Sequence, residues 1–178
     1  MPSIHIPFPL SQLILGGARS GKSRYAEELA IQSKKQVIYI ATAKVLDKEM
    51  EERVSHHKND RPAHWNTIEE PVFLADAIKK QDAPDTIILV DCLTMWLMNL
   101  LTEDDESLIK NQQKMLFSHL DALSSDIIFV SNEVGTGIVP MGELTRKFVD
   151  EAGRLHQQLA KQVNAVTLMV AGLPQKIK

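Results

Sequence analysis

Eight consecutive residues, Gly16-Gly17-Ala18-Arg19-Ser20-Gly21-Lys22-Ser23, fit the pattern G-x-x-x-x-G-K-[ST] in full. The chemistry this spacing serves is the holding of a polyphosphate. Glycines let the backbone turn so that successive N–H groups point at one anion, and a helix starting at the lysine adds partial positive charge there. Lys22 is then expected to reach the β- and γ-phosphates, and Ser23 to put its hydroxyl on Mg²⁺. Arg19 either contacts phosphate or solvates the loop. The flanks fit this phosphate-binding loop (P-loop), because an apolar run precedes it and a helical pattern follows.

A second candidate is Asp91, which ends the apolar run Ile87-Ile88-Leu89-Val90. A carboxylate at the carboxyl end of a strand suits a metal opposite Ser23. The same residue also stands where it can cap a helix beginning at Cys92, a reading that needs no P-loop partner and is less favoured.

The third candidate is the stretch from Arg53 to Trp65, which carries His56, His57 and His64, half of the six histidines of the chain. A solvated helix end explains them, and so does a nucleophilic imidazole that attacks phosphorus. A metal site fits poorly, since neighbouring histidines on a helix diverge and no cysteine is near. On a helix Glu52 precedes His56 by one turn, and Arg53 precedes His57 in the same way. A carboxylate so placed orients an imidazole.

The elements that must position these residues alternate in type. Continuous apolar runs at Gln12–Leu15, Val37–Ala41, Thr86–Val90, Asp126–Val130 and Val166–Val170 predict strands covered on both faces. Lys22 to about Gln32 reads as a helix, as does a segment with Leu144, Phe148, Leu155, Leu159 and Val163 on one face, expected to pack on the core. Leu46, Met50 and Val54 form a shorter stripe of that kind. Thr102–Ser107 reads as a surface loop and Leu93–Leu101 as core. Asn132-Glu133-Val134-Gly135, past a strand, reads either as a ligand contact or as a capped turn around Gly135. The expected fold is α/β and P-loop NTPase-like: a mostly parallel sheet with helices on both faces, ligands binding at the carboxyl ends of the strands.

Bulk properties narrow the partners. A chain of 178 residues suits one domain, here 1–178 with 1–10 as an N-terminal extension. A net charge of -3 argues against a nucleic-acid partner. Cys92 is the one cysteine, which excludes an internal disulfide and fits a cytoplasmic location. No secretory signal and no membrane span is legible.

Taken together, these segments resemble the bifunctional adenosylcobinamide kinase/adenosylcobinamide-phosphate guanylyltransferase family of cobalamin biosynthesis. The resemblance runs in order from Leu13 onward. It rests on the loop through Arg24, on Tyr39-Ile40-Ala41-Thr42-Ala43, on Asp47–Met50 with Arg53, His56, His57, Arg61-Pro62 and Trp65, and on Thr67–Pro71. Asp91-Cys92-Leu93-Thr94, Ser131–Pro140 and Arg146–Leu155 complete it. It implies phosphorylation of adenosylcobinamide by a nucleoside triphosphate, then transfer of GMP from GTP through a guanylylated histidine, which maps onto His56. It implies nucleotide contacts at Ala41, Thr42, Ala43, His57, Lys58, Asn59, Asp60, Glu69 and Asp91, with GTP (ATP possible for the kinase step) and Mg²⁺ required. It also implies a homotrimer. Two rivals remain at this stage: a plain P-loop kinase of a small metabolite with structural histidines, and a non-enzymatic nucleotide-binding switch.

Overall fold

Runs of Val, Ile and Leu in the middle of the chain form central strands because both of their faces are covered. A computed structural model describes residues 10–44, 62–103 and 105–178. Its strands are β1 (Ser11–Gly16), β2 (Gln36–Ala41), β3 (Asn66–Glu69), β4 (Thr86–Asp91), β5 (Asp126–Asn132), β6 (Ala165–Val170) and β7 (Leu173–Lys176). The helices are α1 (Lys22–Gln32), α2 (Leu74–Gln81), α3 (Leu93–Leu101), α4 (Glu106–Leu120) and α5 (Glu143–Gln162). The expected helix stripe at Leu46, Met50 and Val54, and the pairs Glu52/His56 and Arg53/His57, lie outside the described residues.

The strands join one sheet in the order β3-β2-β4-β5-β1-β6-β7. Every pairing is parallel except the last, β6 with β7. Successive side chains of a strand point to opposite faces, and here each face has its own core. Leu13, Ile38, Ile88, Val90 and Phe129 pack with α2, α3, α4 and α5 on one side. Ile14, Tyr39, Leu89 and Ile128 pack with Ala26 and Ala30 of α1 on the other. Both cores are close-packed, so truncating a fully buried side chain such as Ile14 or Leu93 to alanine is expected to cost about 2–5 kcal/mol. The expected fold class therefore holds.

Three local expectations differ from the structure. Leu144 is 48% exposed and so does not join the core stripe. Only the first turn of α5 leaves the core, whereas Phe148 packs against its margin and Leu155, Leu159 and Val163 are buried as the periodicity requires. The loop expected at Thr102–Ser107 is shorter, because the Asp105 carboxylate accepts from the Ser107 amide and starts α4 at Glu106. Asp91 does not cap α3; the cap position is Cys92, with no side-chain hydrogen bond.

At the sheet edge away from the phosphate loop, Asp126 holds the start of β5. One carboxylate oxygen accepts from the Leu10 amide at 2.7 Å and the other pairs with Lys35 at 3.0 Å. Leu10 is buried.

Candidate functional site

Parallel strands end together, and the sheet register lines up the candidate residues along one carboxyl edge. Glu69 of β3 lies opposite Ala41 of β2, and Ala41 lies opposite Asp91 of β4. Asp91 in turn faces Val130 of β5, whose Asn132 pairs with Gly16 of β1. Residues far apart in sequence are thus neighbours because each ends its strand. His56, His57, Lys58, Asn59 and Asp60 lie outside the described residues.

The loop between β1 and α1 depends on two glycines. A Cβ on Gly16 would come within 2.7 Å of the Met169 carbonyl oxygen and 2.6 Å of Ser20 Oγ, so β1 and β6 close here only around glycine. Gly21 adopts φ 93 and accepts the first α1 hydrogen bond, from the Tyr25 amide. Gly17, Ala18 and Arg19 are exposed, with Arg19 at φ 53. Ser20 and Ser23 are half-buried. The turn between β6 and β7 supports the loop from behind, with the Gly172 amide donating to the Ser20 carbonyl at 3.0 Å.

Lys22 is buried, and its ammonium donates to the Gly17 carbonyl and lies 3.5 Å from Ser20 Oγ. Burial lowers its pKa, and the neighbouring Asp91 carboxylate is among the groups that oppose this. A lysine curled back onto its own loop is the arrangement that a phosphate would displace, exchanging a carbonyl partner for a charged one.

Asp91 is positioned by a side chain that the sequence did not single out for this task. Tyr39 Oη donates to Asp91 Oδ2 at 2.9 Å, and the Tyr39 ring stacks on Trp65 with centroids 6.4 Å apart. Thr42 is fully buried and locks β2 to the start of α3: its hydroxyl donates to the Cys92 carbonyl at 2.7 Å and accepts from the Cys92 amide at 2.9 Å. Asn99 Nδ2 donates to the Thr42 carbonyl at 2.7 Å and to that of Pro71 at 3.0 Å. The Ala41-Thr42-Ala43 turn is therefore rigidly held; Ala41 and Ala43 are half-buried and Glu69 is exposed. The Cys92 thiol is pushed up to about 11 by burial and by the neighbouring Asp91 charge, which leaves it protonated and inert.

The segment after β5 carries a turn bond around Gly135. The Gly135 amide donates to Glu133 Oε1 at 2.6 Å, while Asn132 Nδ2 donates to Thr94 Oγ1 at 3.0 Å. Behind it, Ser131 Oγ and His156 Nε2 share a hydrogen bond of 2.7 Å.

Ser23 and Asp91 offer a hydroxyl and a carboxylate, the hard oxygen donors that Mg²⁺ accepts. No group of three or more His, Cys, Asp or Glu side chains able to hold a metal occurs among the described residues. Mg²⁺ takes one or two protein oxygens and fills its shell with phosphate and water.

Loop, lysine and strand-end carboxylate on a parallel sheet define a P-loop nucleotide-binding α/β protein. Comparisons with known proteins narrow the class. The family model described as cobinamide kinase / cobinamide phosphate guanyltransferase matches residues 12–177. The chain is 51% identical over 169 residues to the bifunctional adenosylcobalamin biosynthesis protein CobP of Pseudomonas aeruginosa, covering 95% of this chain and 98% of that one. It is 44% identical over 179 residues to the bifunctional adenosylcobalamin biosynthesis protein CobU of Salmonella typhimurium, covering 93% and 98%. The chain belongs to the cobinamide kinase / cobinamide phosphate guanyltransferase family. Likeness to the flagellar accessory protein FlaH from Methanocaldococcus jannaschii, with a TM-score of 0.51 at 16% identity over 97% of this chain and 80% of that one, concerns the fold alone.

Proposed function

We propose that this protein phosphorylates adenosylcobinamide with a nucleoside triphosphate and then transfers GMP from GTP to adenosylcobinamide phosphate, giving adenosylcobinamide-GDP and pyrophosphate. The observation that carries the reading is the family match along residues 12–177, joined to a phosphate loop and Asp91 on one sheet edge.

In the second reaction the His56 imidazole attacks the α-phosphorus of GTP, and the bond to pyrophosphate breaks. A phosphate oxygen of the acceptor then attacks the same phosphorus and displaces the histidine. Lys22 and the amides of Gly16–Ser23 stabilise charge on the phosphates. Ser23 and Asp91 would hold Mg²⁺, which supplies further neutralisation of that charge. Ala41, Thr42, Ala43, His57, Lys58, Asn59, Asp60 and Glu69 are assigned to the nucleotide by the same reading. GTP serves the transfer, and ATP or GTP the kinase step.

The reading takes residues 1–178 as one domain, active in the cytoplasm as a homotrimer. No helix among the described residues is long and apolar enough to cross a membrane. The exposed Ile138, Val139, Met141 and Leu144 form an apolar run of the kind that a subunit contact covers.

The test is covalent labelling. Protein incubated with α-labelled GTP and Mg²⁺, then denatured, is expected to retain acid-labile, alkali-stable label. Folded protein that takes no label removes the transferase claim, and label persisting in His56→Ala removes the residue assignment.

A further inference from the structure

A cavity of about 340 Å³ opens beside the phosphate loop, lined by Gly17 and Ser20, by Glu133 and Thr136, and by the end of β6 from Leu168 to Val170. Its position relative to a bound triphosphate follows from Lys22. The ammonium of a P-loop lysine meets the β- and γ-phosphates, and here it touches Gly17 and Ser20, the two loop residues that form the cavity wall. A molecule in the cavity therefore lies beside the phosphate-binding loop, on the wall that Lys22 contacts.

Size and lining restrict the occupant. Cavities of roughly 300–1,000 Å³ accommodate drug-sized ligands, so this one, at the low end, admits a short chain but not a corrin ring system. One wall is apolar and the other bears a single carboxylate. That suits an alkyl arm ending in a hydroxyl.

Glu133 is held ready for this task. Its Oε1 accepts from the Gly135 amide at 2.6 Å, which fixes the carboxylate, and Oε2 accepts no hydrogen bond from the described residues. Among the described residues, two rival bases are engaged elsewhere. His156 is buried and committed to Ser131, and Asp91 sits two strands from β1 with the Tyr39 hydroxyl on it.

We propose that this cavity takes the hydroxyl-bearing arm of the corrinoid acceptor and that Glu133 is the catalytic base of the phosphorylation step, an assignment that rests on the kinase reading above. Glu133 Oε2 takes the hydroxyl proton as the acceptor oxygen bonds to the γ-phosphorus. The bond from that phosphorus to the β–γ bridging oxygen breaks, its electron pair leaves with the nucleoside diphosphate, and Glu133 later gives the proton to water.

The test uses Glu133→Gln, which keeps an amide oxygen for the Gly135 bond and removes the base. Phosphorylation of adenosylcobinamide is expected to fall ~10²-fold or more in kcat, with nucleotide KM and covalent labelling by α-labelled GTP unchanged. A second variant, Thr136→Trp, fills space in the cavity that Thr136 lines and is expected to raise KM for adenosylcobinamide alone. Unchanged phosphorylation in Glu133→Gln overturns the assignment. So does an equal loss of labelling, which marks a role in the turn, or a rise in GTP KM, which marks a guanine contact. Wild-type protein that takes the label without phosphorylating adenosylcobinamide overturns the kinase reading together with it.

Discussion

The Tyr39 hydroxyl donates to Asp91 Oδ2 at 2.9 Å, joining β2 to the carboxylate that ends β4. Because Tyr39 also stacks on Trp65, the carboxylate is oriented through an aromatic pair rather than by the backbone alone. Tyr39→Phe keeps the stack and loses the bond. The expected outcome is a loss of about 0.5–1.5 kcal/mol in urea unfolding, with a higher Mg²⁺ concentration needed for half-maximal activity. Unfolding curves and a Mg²⁺ titration of turnover check both parts.

Gly16→Ala places a methyl group against the Met169 carbonyl and Ser20 Oγ. A backbone oxygen cannot move aside as a flexible side chain does, so the loop must shift. Nucleotide affinity, read by calorimetry, is expected to drop at least tenfold, about 1.4 kcal/mol, while Gly17→Ala, whose Cβ meets nothing within 4 Å, binds close to normally.

Cys92 provides a reporter of global opening. The thiol is buried and raised to about 11, so an alkylating agent at mildly alkaline pH finds almost no thiolate and no access. Modification, followed by mass spectrometry, is expected only with unfolding, and its rate should follow denaturant concentration.

His156 gives the stability an acid limb. Burial pushes its imidazole below the ordinary value of 6.5, against an opposing pull from Glu133. The unfolded chain then holds more protons on this group at mildly acidic pH, so stability is full above about 6.5 and falls as pH drops through the lower folded-state value. Urea midpoints at about pH 7.5 and about pH 5.5 are expected to differ less in His156→Gln than in the wild type.

The parts of this architecture legible in the sequence are those with a local signature. Gly16–Ser23 declares itself by spacing, and β1, β2, β4, β5 and β6 by continuous apolar residues. Strand β3 has mostly exposed positions, and β7 is an exposed edge strand containing Pro174, so neither carries the apolar run of a central strand. Helix periodicity identified α5 but not where the body ends beneath it, and Leu144 lies past that limit. Within the site, Asp91 and Ala41–Ala43 were readable as strand exits. The bonds that fix them, Tyr39 to Asp91, Thr42 to Cys92 and Asn99 to Thr42, join residues 50 or more apart in sequence, and no local pattern encodes them.

Strand β1, which launches the phosphate loop, has as its sheet neighbours β5 and β6. Both are made by the ribosome more than a hundred residues after it. A nascent chain can therefore display the whole G-x-x-x-x-G-K-S signature long before it can grip a nucleotide. Such distant pairings slow folding, so competence to bind arises late and abruptly, as the last parallel strand docks. Stalled or truncated translation products would carry the motif and still pass by GTP unbound.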